Sequence, residues 1–463
     1  MNILPIGIQN MRCSKDVWML AVVGILTAMP ARPQDADHPL TLPEAVQLAL
    51  ERNPQVLNAG EQLIELQGRV REVRSEAYPQ IALEGYGLRM RDPSILNSPS
   101  FDKLPPEFTG LLSVTASNLF DYGVSVRQPI YTAGKVRTAI RLAETSASEK
   151  EVAVTVARQQ IAFQVFQAFH DWLLAEESVK VLRETYEQRK QHLDLARKRQ
   201  ALGVATEVDV LRFQVNLANL DPELIRRENR QRLARFTLNN LIVADVNAPT
   251  RIDGRLEYRP LPAADPLEIL RRAQETRPEL TVARRQLEEA RLLLKLAEAQ
   301  NRLSVDMEGR AGMVARDPAN LVDPDYNRWS ITFNFKLPFY DGGRKAGLII
   351  QASSRVRTAE NNLKQLENDV RLEVLSAHDD LQSLARAIDS AQLNVAQSEK
   401  VLKMMQANYQ YGAATTIDVL DSQTETLLAR EVLITAVHAY EVSKARLRLA
   451  EGAPILDQEA GRK

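Results

Sequence analysis

Residues 127–135 read RQPIYTAGK, and residues 336–344 read KLPFYDGGR. Pro129, Tyr131 and Gly134 fall on Pro338, Tyr340 and Gly343 with a common shift of 209 residues. The same shift carries GVATEVDVL, from Gly203, onto GAATTIDVL, from Gly412. Two matches at one offset, far apart in the chain, mark an internal duplication, and a repeat has to be found before any single element is read. Upstream the shift is 224: Glu44 and Pro54 match Glu268 and Pro278, and LEG at 83–85 matches MEG at 307–309. The 15 extra residues of the first half must lie between Gly87 and Arg127, in a stretch rich in Pro and Ser that reads as a longer loop.

Working outward from the junctions, each half reads helix, strand, loop, strand, long helix, break, helix. On the N-terminal side of the second junction the chain alternates strictly. Trp329, Ile331, Phe333, Phe335 and Leu337 oppose Ser330, Thr332, Asn334 and Lys336. Near Val305 the same period places Val305, Met307, Gly309, Ala311 and Met313 against Asp306, Glu308 and Arg310. Period two over nine residues predicts strands, and nine to eleven residues is what a tilted strand needs to cross a bilayer. The first half is noisier, with Ile81, Leu83, Val124 and Val126 against Glu84, Ser125 and Arg127. A soluble sheet packed on a helix shows the same alternation. If these strands are membrane strands, four of them cannot close a barrel, so several copies must share one.

On the other side of each junction lies a helix of unusual length. Neither 135–202 nor 348–411 contains Gly or Pro, so each predicts a helix roughly 100 Å long. Val370, Val374, Ala377, Leu381, Leu384, Ile388, Ala391 and Val395 form a heptad seam. Ile161, Val165, Phe169, Trp172, Val179, Leu182 and Tyr186 form a similar stripe, widened by Phe166 and Leu173. A widened stripe suits a helix with neighbours on both sides, as in a curved wall. An ordinary antiparallel coiled-coil hairpin is the alternative.

The 463 residues carry 59 Lys and Arg against 60 Asp and Glu, a balance that excludes a nucleic-acid binder relying on a basic field. Arg12 and Lys15 precede the apolar run VWMLAVVGILTAM (17–29), then small and polar residues, the layout of a secretory signal. Cleavage is expected after Ala28 or Ala31, and the poor fit of the first ten residues makes Met11 a candidate start. Cys13, the single cysteine, would leave with the signal, so the exported chain relies on packing and assembly without disulfides. No later run of 18 apolar residues predicts a transmembrane helix. The expected organisation is a signal (1–31), a first repeat (32–245), a linker (246–264), a second repeat (265–452) and a tail (453–463). Strands are expected near 78–91, 118–129, 303–315 and 327–338, and long helices near 133–202, 206–243, 342–411 and 415–452.

The motifs quoted above, with LPFYDGGR from Leu337 and YGAATTIDVLD from Tyr411, make the sequence resemble the TolC family of outer-membrane efflux and secretion channels. The resemblance covers essentially the whole mature chain. It implies a mainly α fold with a membrane β-barrel: a trimeric α-helical tunnel below a shared 12-strand barrel, four strands from each chain. It also implies a passive conduit gated at its periplasmic end, in the outer membrane, with a homotrimer, a periplasmic adaptor, an inner-membrane transporter and outer-membrane lipid as partners. Residue by residue, Asp418 and Asp421 match the entrance carboxylates of the family, and Asp209 and Tyr409 match residues of links that hold the entrance shut. The Arg expected in that network is Ala414 here, so a salt-bridge latch at that position is absent. Gly203, Val204, Ala205 and Thr206, with Gly412, Ala413, Ala414 and Thr415, match the tips where adaptors dock, and Pro129, Gly134, Pro338 and Gly343 mark the strand-to-helix junctions. The plainer readings are that Gly203 and Gly412 permit helix reversal and that Asp209 and Asp418 favour helix starts.

No catalytic, metal or cofactor signature accompanies these motifs: His38, His170, His192, His378 and His438 lack ligand spacing, and no phosphate loop or nucleophile elbow appears. An enzyme and a bound cofactor are therefore not expected. The run Arg226, Arg227, Arg230, Arg232, Arg235 reads as a solvated helix face. A non-channel reading, an exported coiled-coil structural or adaptor protein, has no use for two pairs of alternating strands. Membrane strands in this register put Ile331, Phe333 and Phe335 toward lipid. Phe333→Arg is then expected to cost about 2–4 kcal/mol and impair insertion, while Asn334→Arg is tolerated. Equal insertion yields for the two variants in outer-membrane fractions would refute that register.

Overall fold

Prolines and left-handed glycines set most of the element boundaries. The structure is a computed structural model that describes residues 38–90, 117–262 and 265–456; the signal segment, 91–116 of the first-half loop, and the tail from 457 lie outside them. The first half comprises β1 (Leu40–Thr41), α1 (Leu42–Arg52), α2 (Pro54–Ser75), β2 (Gln80–Met90), β3 (Ser117–Tyr131), α3 (Lys135–Ala201), α4 (Glu207–Ala218) and α5 (Leu220–Leu241). After β4 (Ile252–Asp253), the second half comprises α6 (Pro266–Thr276), α7 (Pro278–Glu298), β5 (Ser304–Ala315), β6 (Asn327–Lys336), α8 (Arg344–Gln410) and α9 (Thr416–Ala450). Pro54 and Pro278 occupy the first turn of α2 and α7, where a missing N–H costs nothing. Their matched positions make each repeat begin with the same pair of helices.

α3 and α8 each run 67 residues without a break. Each starts behind a residue pair of positive φ, Ala133 and Gly134 in one case and Gly342 and Gly343 in the other, which turns the chain out of its strand. The expected helix over 206–243 is instead two, α4 and α5, parted at Asn219. Pro222 has no N–H for the carbonyl four residues back, and its ring crowds that carbonyl. The second repeat has Glu431 at the matched position, and α9 runs 35 residues unbroken.

Near the strands, α2 packs on α3, α3 on α7 and α7 on α8. The sheet has the order β2-β3-β5-β6, all antiparallel. Each strand is joined to the helix at the same place in the helical row, because β2 follows α2, β3 leads to α3, β5 follows α7 and β6 leads to α8. Strand and helix therefore continue one wall. Toward the other end the row is α4/α5, α3, α9, α8. The stripe Ile161, Val165, Phe169, Trp172 is buried under α1 and the end of α5, and Phe166 and Leu173, which widen it, are buried as well. Val370, Val374, Ala377, Leu381 and Ile388 are buried against α6 and α9.

The arginine run on α5 departs from a purely solvated face. Arg227 is mostly covered, ion-paired with Glu223 and with Glu431 of α9, and hydrogen-bonded to Ser178 of α3. It ties three helices across the two repeats. The linker is fixed just as specifically. The buried hydroxyl of Tyr440 accepts the Leu261 N–H at 2.9 Å, and its ring meets Tyr258 edge-on at 4.9 Å. Tyr440→Phe strands that N–H and is expected to cost about 1–3 kcal/mol. Hydrogen exchange at Leu261 should accelerate, with no change at the strand-to-helix junctions; unchanged protection at Leu261 would contradict the assignment.

Candidate functional site

Two regions carry the sequence-predicted functional residues, the four-stranded sheet and the opposite helical tip. In the sheet, register assigns the faces. Ile81, Leu83, Val124, Val126, Ala311, Trp329 and Ile331 share one face, extended by the pairs Val305–Phe335 and Met307–Phe333. Among the described strand residues its only charge is Arg89, near one end. Glu84, Asp121, Arg127, Asp306, Glu308, Arg310, Arg328 and Lys336 lie on the other face. The polarity is inverted relative to a soluble sheet. On β3, Asp121 and Ser125 are buried, whereas Tyr122 and Val124 are 41% and 43% exposed. An outward apolar face and an inward charged face are what a membrane barrel requires. Pro129 stands at an irregularity of the β3–β5 pairing, and Pro338 follows the last paired residue of β6. Gly134 and Gly343 cap the long helices with φ of +82° and +88°.

At the tip, the two repeats build the same turn twice. Gly203 and Gly412 take φ of +73° and +76°, and the next residues, Val204 and Ala413, donate back to Arg199 and Asn408 carbonyls. That closes α3 and α8 with a left-handed residue. Thr206 and Thr415 then cap α4 and α9, and Asp209 and Asp418 complete reciprocal capping boxes. The aspartates thus start helices, as the plainer reading holds, but only one of the two carboxylate oxygens is used for this. The other oxygen of Asp209 accepts the Thr416 hydroxyl at 2.7 Å, across the two tips. The Thr416 and Thr206 hydroxyls hold the Asp209 carboxyl below the ordinary aspartate range. The Thr415 hydroxyl and N–H do the same for Asp418, whose carboxyl is open to solvent.

Tyr409 is buried, with its ring edge-on to Phe213 at 6.0 Å. Arg199 lies over the ring at 4.8 Å and donates to the Tyr409 carbonyl. Ala414 packs beside this cluster, where the family pattern expects an arginine. Asp418 and Asp421 are exposed on one face of α9, and Glu425 extends that row by one turn. Four residues escaped the sequence reading. Arg199 sits in an unremarkable basic stretch, and Glu425 needed only one more helical step from Asp421. Thr416 was detectable as a break in the repeat, because its counterpart is Glu207. Above the tip, buried Arg189 donates to the Asn216 carbonyl and to the Thr424 hydroxyl, joining α3, α4 and α9. No motif signals it. Gly203–Thr206 and Gly412–Thr415 are mostly exposed, the positions expected of a docking surface.

Among the described residues no helix is long and apolar enough to cross a membrane. The outer membrane efflux protein family model matches residues 45–242 and 269–453. The chain is 23% identical over 430 residues to the outer membrane protein TolC of Vibrio cholerae, covering 91% of this chain and 94% of that one. It is 22% identical over 408 residues to the toluene efflux pump outer membrane protein TtgC of Pseudomonas putida, covering 86% and 80%. The solved structure of the outer membrane protein VceC of Vibrio cholerae superposes with a TM-score of 0.76 at 21% identity, over 90% of this chain and 97% of that one. With an inside-out sheet continued by duplicated helical hairpins, and a family match spanning both repeats, the chain belongs to the outer membrane efflux protein family and is an outer-membrane protein of the TolC type.

Proposed function

We propose that three copies of this chain close into a passive conduit through the outer membrane, opening at the helical tip to substrates delivered by a periplasmic adaptor and an inner-membrane transporter. The observation that carries this reading is that every layer is left open on the same two flanks. The sheet ends in β2 and β6, the upper helical row in α2 and α8, and the lower row in α4/α5 and α8. Large apolar side chains stand exposed along these flanks: Leu57 and Ile64 on α2, Val208, Leu211 and Val215 on α4, and Ile350, Leu372 and Leu393 on α8. Unlike flanks meet head to tail, which generates a ring, and three four-stranded sheets make twelve strands, above the eight of the smallest membrane barrels. The mature protein purified in detergent is expected to be a trimer by light scattering and to conduct in planar bilayers. A monodisperse monomer with native secondary structure would sink the shared barrel.

In such a ring Asp418 and Asp421 supply six carboxylates at the tip, and Glu425 lies one turn further along. Their summed field attracts cations, multivalent ones most strongly. Conductance is expected to be cation-selective and blocked by multivalent cations from the periplasmic side. Protonation removes the attracting charge, so acidification relieves the block; the bonds from Thr415 shift the Asp418 contribution to lower pH. In the Asp418→Ala/Asp421→Ala variant the block should vanish at fixed ionic strength while trimers still insert. Persistence of the block would place the constriction elsewhere.

The Thr416–Asp209 bond acts as a latch between the tips. Its carboxyl is lowered in the folded chain, so its stabilisation is present above the unfolded value of about 3.9 and lost as pH falls through the folded one. Thr416→Val is expected to cost about 0.5–1.5 kcal/mol. Hydrogen exchange should speed up in both tips together, and faster exchange in the 415–420 tip alone would deny the cross-link.

A further inference from the structure

The inner face of the sheet holds an ion cluster drawn from all four strands. Asp121 of β3 has a side chain only 3% exposed. Arg310 of β5 is hydrogen-bonded to one of its oxygens, Arg328 of β6 lies 3.2 Å from the other, and Glu84 of β2 lies 3.7 Å from Arg310. Register explains how these side chains converge. Glu84, Gly123, Gly312 and Arg328 form one cross-strand row, with Asp121 a row to one side and Arg310 a row to the other. The two central glycines approach so closely that a Cβ on Gly312 would lie 2.5 Å from the Gly123 Cα. No side chain fits there, so Arg310 crosses the row over bare backbone to reach Asp121, and Arg328 reaches it from the end of the row.

The cluster balances two guanidiniums against two carboxylates but exposes them unequally. Arg310, 18% exposed, is engaged by both Asp121 and Glu84, and it satisfies one oxygen of the buried carboxylate. Arg328 is a second guanidinium on the same aspartate, 45% exposed, at the edge strand opposite Glu84. It is the cation nearest the second Asp121 oxygen, which is buried and makes no hydrogen bond, so part of its role is to offset that charge. With 45% of its side chain exposed it also presents a planar cation on the inner wall, the form of charge best suited to a carboxylate or phosphate.

We propose that Arg328 is a specificity-determining residue of the conduit, a fixed cation on the inner wall that contacts anionic groups of solutes in transit, with Asp121 as its positioning residue. This rests on the conduit reading. Three copies place three such cations around one lumen, each aimed by a buried carboxylate. They lie at the opposite end of the path from the tip carboxylates, so solutes meet a guanidinium contact there that the tip does not offer.

The test is the chloride-to-potassium permeability ratio of the mature protein in planar bilayers under a potassium chloride gradient. It is measured in the wild-type chain and in the Asp418→Ala/Asp421→Ala background, where the tip no longer dominates. Arg328→Gln should lower the ratio by about twofold or more, and Arg328→Lys should restore most of it. Asp121→Asn should raise the ratio by freeing both guanidiniums, and Asp121→Asn/Arg328→Gln should return it toward the starting value. A purely structural role would alter insertion yield or trimer melting and leave the ratio alone. Where Asp121→Asn fails to insert, Arg328→Gln decides by itself, because it leaves the Asp121–Arg310 pair intact. A conducting Arg328→Gln channel with an unchanged ratio in both backgrounds overturns the proposal and spares the conduit. A wild-type chain that inserts and does not conduct overturns the conduit reading, and the proposal with it.

Discussion

An unpaired backbone amide in hydrocarbon has no water to turn to and costs several kcal/mol. This sheet ends in two rows of such groups, along β2 and along β6. Among the described residues neither edge is covered by a helix, a bulge or a cluster of lysines, the devices that soluble sheets use. Much else in the chain follows from that constraint. The apolar side chains on the outer face need lipid, the lipid forbids free edges, and in the proposed ring another copy of the chain pairs with each edge. Because each strand continues into the helix beneath it, the flanks that need partners in the membrane also need them along the helices. Assembly is thus one requirement expressed in two materials, backbone hydrogen bonds above and exposed apolar stripes below.

Most of this was legible in the sequence because the duplication supplied two readings of each element. The alternation at Trp329–Leu337 was clean and that at Val124 and Val126 noisier, and the pairing puts both sets on one face of the sheet. Absence of Gly and Pro over more than sixty residues sufficed for α3 and α8, since nothing else stops a helix of good formers. The break at Asn219 was missed although its cause, Pro222, was in plain view. A proline near the start of a helix and one in its interior look alike until the boundary is known. Arg227 was misjudged for a related reason. A run of like charges reads as solvated unless the partner is known, and Glu431 lies 204 residues away on a helix of the other repeat.

The tip was legible in its local chemistry and opaque in its long-range chemistry. Glycine at helix ends and Thr-x-x-Asp at helix starts act within one turn, so their spacing carries the whole physical content. Cross-tip bonds depend on how two hairpins are rotated against each other, which no local spacing records. Arg199 reaching Tyr409, and Arg189 reaching Asn216 and Thr424, belong to that class. The resemblance picked out Asp209 and Tyr409 as link residues, and the structure brings a partner to each that the sequence did not nominate.

Those partners have a consequence for how the tips are held. With Ala414 at the position where an arginine is expected, the bond across the tips is between a hydroxyl and a carboxylate, Thr416 to Asp209. The neighbouring contact sets a guanidinium on an aromatic face and a backbone carbonyl, Arg199 on Tyr409. Neither is a pair of opposite full charges, so salt screens both less than it would an exposed ion pair. Full ion pairs between the hairpins lie higher up: Arg227 with Glu431 is mostly covered and poorly screened, whereas Arg430 with Glu184 is more open to salt. A tip built this way yields to groups that compete for a hydroxyl, a carbonyl or a ring face, which a docking protein carries in abundance, more readily than to a change in ionic strength. In the proposed conduit, Ala414 in place of an arginine would leave the entrance less responsive to the surrounding electrolyte than to a partner that touches it.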